Sequence, residues 1–297
     1  MPISTVTHSI RRTMKSPTKT APLPLPLPLP HEGLPPTSTT TSTTTTTSTV
    51  ETSAKTAAPT NTVPPVYIFA YGSLINGASV RRSITAPVAV APKPVVVSGF
   101  RRTWGFKCAR RSYTAVAITA SASANDCVNG VLVRVNNDDL PNLDKREEGY
   151  ARRRICSSLI RQPYGNVHIE PHAQIWAYIL EDCCEAESGY ESDSSISSTR
   201  SHVACPVVPI PQSYIDCIIA GALLEHGPRF ARDFIRLTHS WHEGTWINDR
   251  NAKDPVRRYV PNAAVGENDL CPKVAKSVDD LLQALVPSAF SSRIDVA

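Results

Sequence analysis

From Val66 onward, short apolar runs alternate with turn-forming breaks. Val66-Tyr67-Ile68-Phe69-Ala70 has strand length and ends at Tyr71-Gly72-Ser73-Leu74, where Gly72 permits a sharp turn. Asn76 offers an N-cap to a short helix through Arg82. Strand-like segments follow at Pro94–Val97, Tyr113–Thr119 and Gly130–Val135. Asp138 or Asp139 can cap a helix from Leu140 to Glu147, with Pro141 tolerated in its first turn and Gly149 ending it. Two more strands fit Arg153–Ile160 and Gln174–Leu180. Pro211 then starts a helix in which Ile215, Ile218, Ile219, Ala222 and Leu223 recur at helical spacing. That helix ends near Gly227, a second runs from Pro228 to about Leu237, and Ser277 can cap a last one reaching Leu285. Strands separated by single helices, without a repeating βαβ rhythm, predict an α+β domain and not a doubly wound sheet.

The flanking segments lack such a pattern. Residues 1–65 are rich in Thr, Ser, Pro and Ala, and include a Pro-Leu alternation over 21–30 and a Thr-rich run over 37–49. Pro fixes φ and removes a donor, so the alternation reads as a polyproline II rod; the Thr run has no apolar face to offset its ordering entropy. Residues 1–65 are therefore expected to be a disordered tail, and 66–265 the folded domain. Within it, the acidic, Ser-rich stretch 181–204 reads as a disordered surface insertion, and 266–297 as an extension with one short helix.

The net charge of +5 is misleading, because the tail takes five of the 31 basic and two of the 26 acidic residues and leaves the remainder at +2. The basic residues are scattered in pairs, with one triple at Arg152-Arg153-Arg154 whose members alternate faces if they lie in a strand. A nucleic-acid partner is not expected from that distribution. Eight cysteines show no Cys-x-x-Cys and no zinc spacing, so no metal is expected. No run has membrane length or the form of a signal peptide, which favours a cytoplasmic, reducing setting. The basic, acid-free first thirty-one residues leave an organelle transit peptide as the alternative. His239, His242 and Glu243 follow neither zinc-protease order and are read as surface or packing residues.

Three segments carry the candidate chemistry: Phe69-Ala70-Tyr71-Gly72-Ser73-Leu74-Ile75, Leu143-Asp144-Lys145-Arg146-Glu147-Glu148-Gly149-Tyr150, and Gln212-Ser213-Tyr214-Ile215-Asp216 with Trp246-Ile247-Asn248-Asp249-Arg250 beyond it. In this order they resemble the γ-glutamylcyclotransferase superfamily over about residues 66–260. The resemblance rests on a Tyr-Gly-Ser-Leu loop after the first strand and a glutamate in a Leu-Asp-x-x-Glu segment. It implies a small mixed β-barrel flanked by helices. It also implies a cofactor-independent conversion of a γ-glutamyl compound to 5-oxoproline and a free amine.

That reaction sets physical requirements. The substrate's own α-amine attacks its γ-carbonyl, so the protein has to fold the substrate into a near-attack pose and move protons. One carboxylate can serve as base and acid. The Leu-Asp-x-x-Glu count places it at Glu147, with Glu148 as the competitor. Tyr71, Gly72, Ser73 and Leu74 are the expected substrate-binding loop, with Gly72 admitting the ligand close to the backbone and Ser73 contributing its N–H. Arg101, in Gly99-Phe100-Arg101-Arg102-Thr103-Trp104, resembles part of the family's Arg-Arg-x-Trp segment and is the candidate for a substrate carboxylate, though structural pairing fits it as well. Tyr150 and Tyr259 are candidate pocket walls. The substrate is a small γ-glutamyl molecule: glutathione, a γ-glutamyl amino acid or a γ-glutamylamine. The competing reading is an inert scaffold of the same fold whose Pro-rich tail recruits SH3- or WW-type partners.

Overall fold

The computed structural model describes residues 64–84, 91–108, 110–123, 125–181, 202–253, 259 and 270–296. The expected tail, with its Pro-Leu rod, and residues 182–201 of the expected acidic insertion lie outside them. The end of that insertion is packed: Ala204 is buried, and its carbonyl accepts from the Thr245 N–H.

The elements in chain order are β1 (Val66–Ala70), α1 (Gly77–Val80), β2 (Lys93–Ser98), β3 (Phe100–Cys108), β4 (Tyr113–Ala120) and β5 (Cys127–Val135). Next come α2 (Leu140–Arg146), β6 (Ala151–Arg154), β7 (Ile160–Arg161), β8 (Gln174–Ile179), β9 (Ile210–Pro211) and α3 (Gln212–Arg236). The chain continues through β10 (Thr238–His239), β11 (Trp246–Asn248), α4 (Pro272–Leu285), α5 (Pro287–Ser291) and β12 (Ile294–Asp295). The fold is α+β. The main sheet has six strands in the order β6-β8-β1-β5-β2-β7, beside three-stranded sheets β10-β3-β4 and β12-β11-β9.

A closed barrel is not formed among the described residues. The main sheet ends on the short strands β6 and β7, which pair with β8 and β2 and not with each other. The β3–β4 ribbon reaches it through single bonds such as Leu180 N–H to the Ile118 carbonyl (3.0 Å).

β1 is the central strand, antiparallel to β5 and parallel to β8. All five of its residues are buried, which is why it reads as an unbroken apolar run and not as an alternation. β3, which the apolar pattern does not reveal, pairs with β4 through a bulge between Trp104 and Phe106. The strand expected over Arg153–Ile160 is two pieces, β6 and β7, separated by a 3-10 turn at Ser157–Leu159. Its Ser-rich middle has no apolar face to bury.

α3 carries the helical apolar face and bends at Gly227 (φ 87°), where a left-handed residue precedes Pro228 and interrupts the ladder. Its N-terminus is held by a later segment: Asp249 accepts from the Ser213 N–H (2.8 Å) and Oγ (2.7 Å). Arg250 clamps Asp216 (2.8 and 2.9 Å) and Asp279 (3.0 Å twice), and so ties α3 to α4. The Gln212–Asp216 and Asn-Asp-Arg segments are thus one structural joint.

α4 starts at Pro272, earlier than Ser277; the Ser277 hydroxyl bonds back to the Lys273 carbonyl (3.0 Å) instead of capping. At α2, the fully buried Asp139 turns its carboxylate back to the Asn136 N–H (3.2 Å), so the capping begins at Asn136, before the residues expected to provide it.

Candidate active site

β1 delivers its C-terminal end to a small pocket. The next residues, Ser73–Ile75, form a 3-10 turn whose first amides have no carbonyl partner within the turn. Gly72 has φ −133° and ψ −134°, outside both the extended and the helical regions, so it turns the chain here, and space is a second constraint on it. A Cβ at Gly72 would stand 2.9 Å from Val116 Cγ2 and 3.3 Å from Tyr214 Oη. Tyr71 is buried, and its hydroxyl donates to the Tyr178 carbonyl.

Glu147 is the C-cap of α2 and faces this loop; both line a pocket of about 30 Å³, together with Val116, Tyr150, Tyr178 and Tyr214. Its side chain is 19% exposed and its Oε1 accepts from Arg146 Nε at 3.1 Å. Burial pushes the carboxyl above its ordinary value, and the Arg146 guanidinium offsets only part of that rise. Glu148, the competitor, is 81% exposed beside Arg110 and does not line the pocket. Gly149 (φ 95°) takes the left-handed turn that separates the two from Tyr150.

Arg146 is the link that sequence reasoning left without a role. Its Nη1 donates to the Ser79 carbonyl (2.6 Å) and Ser83 Oγ (2.9 Å), and its Nη2 to Ser73 Oγ (3.1 Å) and Ser79 Oγ (2.8 Å). One guanidinium therefore joins the Glu147 carboxylate to the loop, and the Ser73 hydroxyl has a structural job besides the backbone N–H assigned to it.

Arg101 does not reach the pocket. In β3 successive side chains alternate faces, which sends Arg101 outward, 3.4 Å from His239 Nδ1, and Arg102 inward, where it is fully buried. Arg102 donates to Thr238 Oγ1 (2.7 Å), the carbonyls of Tyr71 (3.2 Å), Asn129 (2.8 Å) and Phe234 (2.8 Å), and Asn129 Oδ1 (2.8 Å). All five of its N–H groups are satisfied. Burial pulls the guanidinium down to about 9, still charged at neutral pH.

Tyr150 forms a pocket wall as expected, stacked on Phe106 with ring centroids 4.0 Å apart. Tyr259 lies behind the pocket, its hydroxyl 3.3 Å from Ser79 Oγ. Tyr178 and Tyr214 were not singled out as wall residues, since only strand register and the docking of α3 bring them here. Among the described residues no group of three His, Cys, Asp or Glu could hold a metal ion, and no helix is long and apolar enough to cross a membrane.

Residues 68–197 match the family described as gamma-glutamyl cyclotransferase, AIG2-like. That match spans somewhat less than half of the chain and supports a γ-glutamylcyclotransferase-like domain there. The matched segment holds the last three residues of β1, the Tyr71–Leu74 loop, α2 and Glu147, while Tyr214 and the α3 joint lie beyond it. No curated protein matches.

Solved structures similar to this chain include a gamma-glutamyl cyclotransferase, at 15% identity and TM-score 0.40, covering 73% of this chain and 99% of that one. An uncharacterized protein from Homo sapiens shows 16% identity and TM-score 0.39 with the same coverage. A glutathione-specific cyclotransferase from yeast shows 14% identity and TM-score 0.29, covering 59% of this chain and 85% of that one.

The tightness at Gly72 gives a direct test. Gly72→Val is expected to reduce turnover far more than Ser73→Ala. The valine Cγ atoms extend the Val116 clash toward the pocket, whereas Ser73→Ala removes one of five Arg146 hydrogen bonds, a loss of about 1 kcal/mol. Initial rates of the two variants side by side decide it; a more severe Ser73→Ala would show that the hydroxyl acts on substrate.

Proposed function

We propose that the protein converts a γ-glutamyl compound to 5-oxoproline and a free amine, with Glu147 as the proton carrier. The observation that carries this reading is the single pocket formed by the family's glycine loop and a mostly buried glutamate. In the reaction, Glu147 takes a proton from the substrate's α-ammonium. The freed amine attacks the γ-carbonyl and forms the ring C–N bond. As the amide C–N bond breaks, Glu147 returns that proton to the leaving nitrogen. It then takes the second proton shed by the ring nitrogen and passes it on to the same amine, which departs as an ammonium and leaves Glu147 ionised. The amides after Gly72 are the proposed donors to the oxygen that becomes negative during attack; one donor so placed is worth about 2.7–4 kcal/mol. Substrate binding has to widen the pocket, which at about 30 Å³ is near the volume needed for a water molecule.

Incubating the chain with glutathione and with γ-glutamylalanine, and measuring 5-oxoproline, tests the reading. Absence of product from both would remove it. The pH profile adds a second check. The proton acceptor must be ionised, and burial raises the Glu147 carboxyl, so kcat/KM should rise with pH through a midpoint above the ordinary carboxylate value of about 4.3. Arg146→Gln removes the cation that holds the carboxyl down, and is expected to move this midpoint further up. A midpoint that moves down would exclude Glu147 as the group being titrated.

A further inference from the structure

Next to the Glu147 pocket lies a larger cavity of about 290 Å³, lined by Asp144, Tyr150, Arg152, Trp176 and Tyr178. The two share Tyr150 and Tyr178, so a molecule seated against Glu147 that extends past these rings enters the second cavity. Strand register explains its walls. β6 and β8 place Arg152 opposite Tyr178 and Arg154 opposite Trp176, and the Arg152 guanidinium crosses diagonally to the Trp176 ring, 5.1 Å from its centroid. Asp144, from α2, uses one oxygen to accept from the Tyr178 hydroxyl (2.8 Å) and to pair with Arg152 Nε (3.0 Å).

These contacts anchor Arg152 through Nε and the Trp176 ring without using its ends. Nε is engaged, while no protein acceptor among the described residues engages Nη1 or Nη2. A guanidinium anchored through Nε beside the Trp176 ring, with both terminal nitrogens open among the described residues, suits bidentate capture of a carboxylate. A bare ammonium finds less here, because Arg152 already answers the Asp144 charge.

We propose that this cavity receives the leaving half of the substrate and that Arg152 grips a carboxylate on it. Arg152 then selects γ-glutamyl amino acids and short γ-glutamyl peptides over γ-glutamylamines that lack a carboxylate. The identity of the leaving half rests on the ring-closure reading above; the carboxylate site itself does not. After ring closure the freed amino acid or peptide departs with its carboxylate unchanged.

The test compares γ-glutamylalanine with γ-glutamylethylamine, which differ only in that carboxylate, by steady-state 5-oxoproline release and by calorimetric binding. The wild-type chain is expected to favour γ-glutamylalanine roughly 10- to 100-fold in kcat/KM, mainly through KM, and Arg152→Met to shrink the ratio to within about threefold. Arg152→Lys, a charge without the fork, should fall between them. A wild-type ratio near one, or a ratio that survives in Arg152→Met, overturns the proposal, and the wild-type comparison stands even if a variant folds poorly. Arg152-dependent binding of γ-glutamylalanine without 5-oxoproline release would support the carboxylate site and sink ring closure. Release without any carboxylate preference would do the opposite, and neither binding nor release would end both.

Discussion

Glu147→Gln is expected to lower 5-oxoproline release by about 10²–10⁴-fold while the protein keeps its melting temperature. The amide is nearly isosteric, and its oxygen can still accept from Arg146 Nε, so the loop and α2 remain joined. It cannot carry a proton between two nitrogens. Burying a neutral amide is also easier than burying a carboxylate, so no loss of stability accompanies the loss of rate. Glu148→Gln provides the contrast: its side chain is exposed and outside the pocket, and its rate should match the parent. Initial rates and thermal unfolding of both variants give the answer, and full activity in Glu147→Gln with loss in Glu148→Gln would move the role to the neighbour.

The second large effect concerns stability and separates two adjacent arginines. Arg102→Lys removes at least two of five donors from fully buried acceptors and loses the flat contact with Phe234, where the guanidinium carbon lies 3.8 Å from the ring centroid. Each orphaned acceptor costs about 1–3 kcal/mol, which for a domain of this size lowers Tm on the order of 5–20 °C. Turnover should fall as well, since Arg102 holds the Tyr71 carbonyl at the start of the loop. Arg101→Ala, on the outer face of the same strand, should stay within about 0.5 kcal/mol of the parent. Thermal melts of the pair are sufficient; equal melting temperatures would show that the buried guanidinium is dispensable.

Much of this was legible in the chain. β1 announced itself as an apolar run because it is covered on both faces, and α3 through its helical spacing and the Gly227-Pro228 break. The loop and Glu147 were found through short motifs whose order survives in sequence. Arg101 was misplaced because β3 was not recognised: Gly105 and the bulge interrupt its apolar alternation, and without a strand there is no inside and outside to assign. Tyr214 stood in a singled-out segment but without a wall role, and Tyr178 and the five-way bonding of Arg146 left no local signal, because each depends on partners brought in by register or helix docking. The sheet's failure to close was also invisible, since it turns on how the edge strands pair and not on composition.

The bonding of Arg102 also imposes an order of events on the newborn chain. Its Thr238 partner, in β10, lies 136 residues downstream and its Phe234 partner, in the last turns of α3, lies 132. At about 5–20 residues per second of synthesis, a ribosome needs on the order of ten seconds to supply them after Arg102 has been made. Until then the β3–β4 ribbon and the β1–β5–β2 strands can form, but they enclose a cation with two of its acceptors still unmade. The strands therefore have a reason to stay open to water until α3 arrives and the core can close in one late, cooperative step.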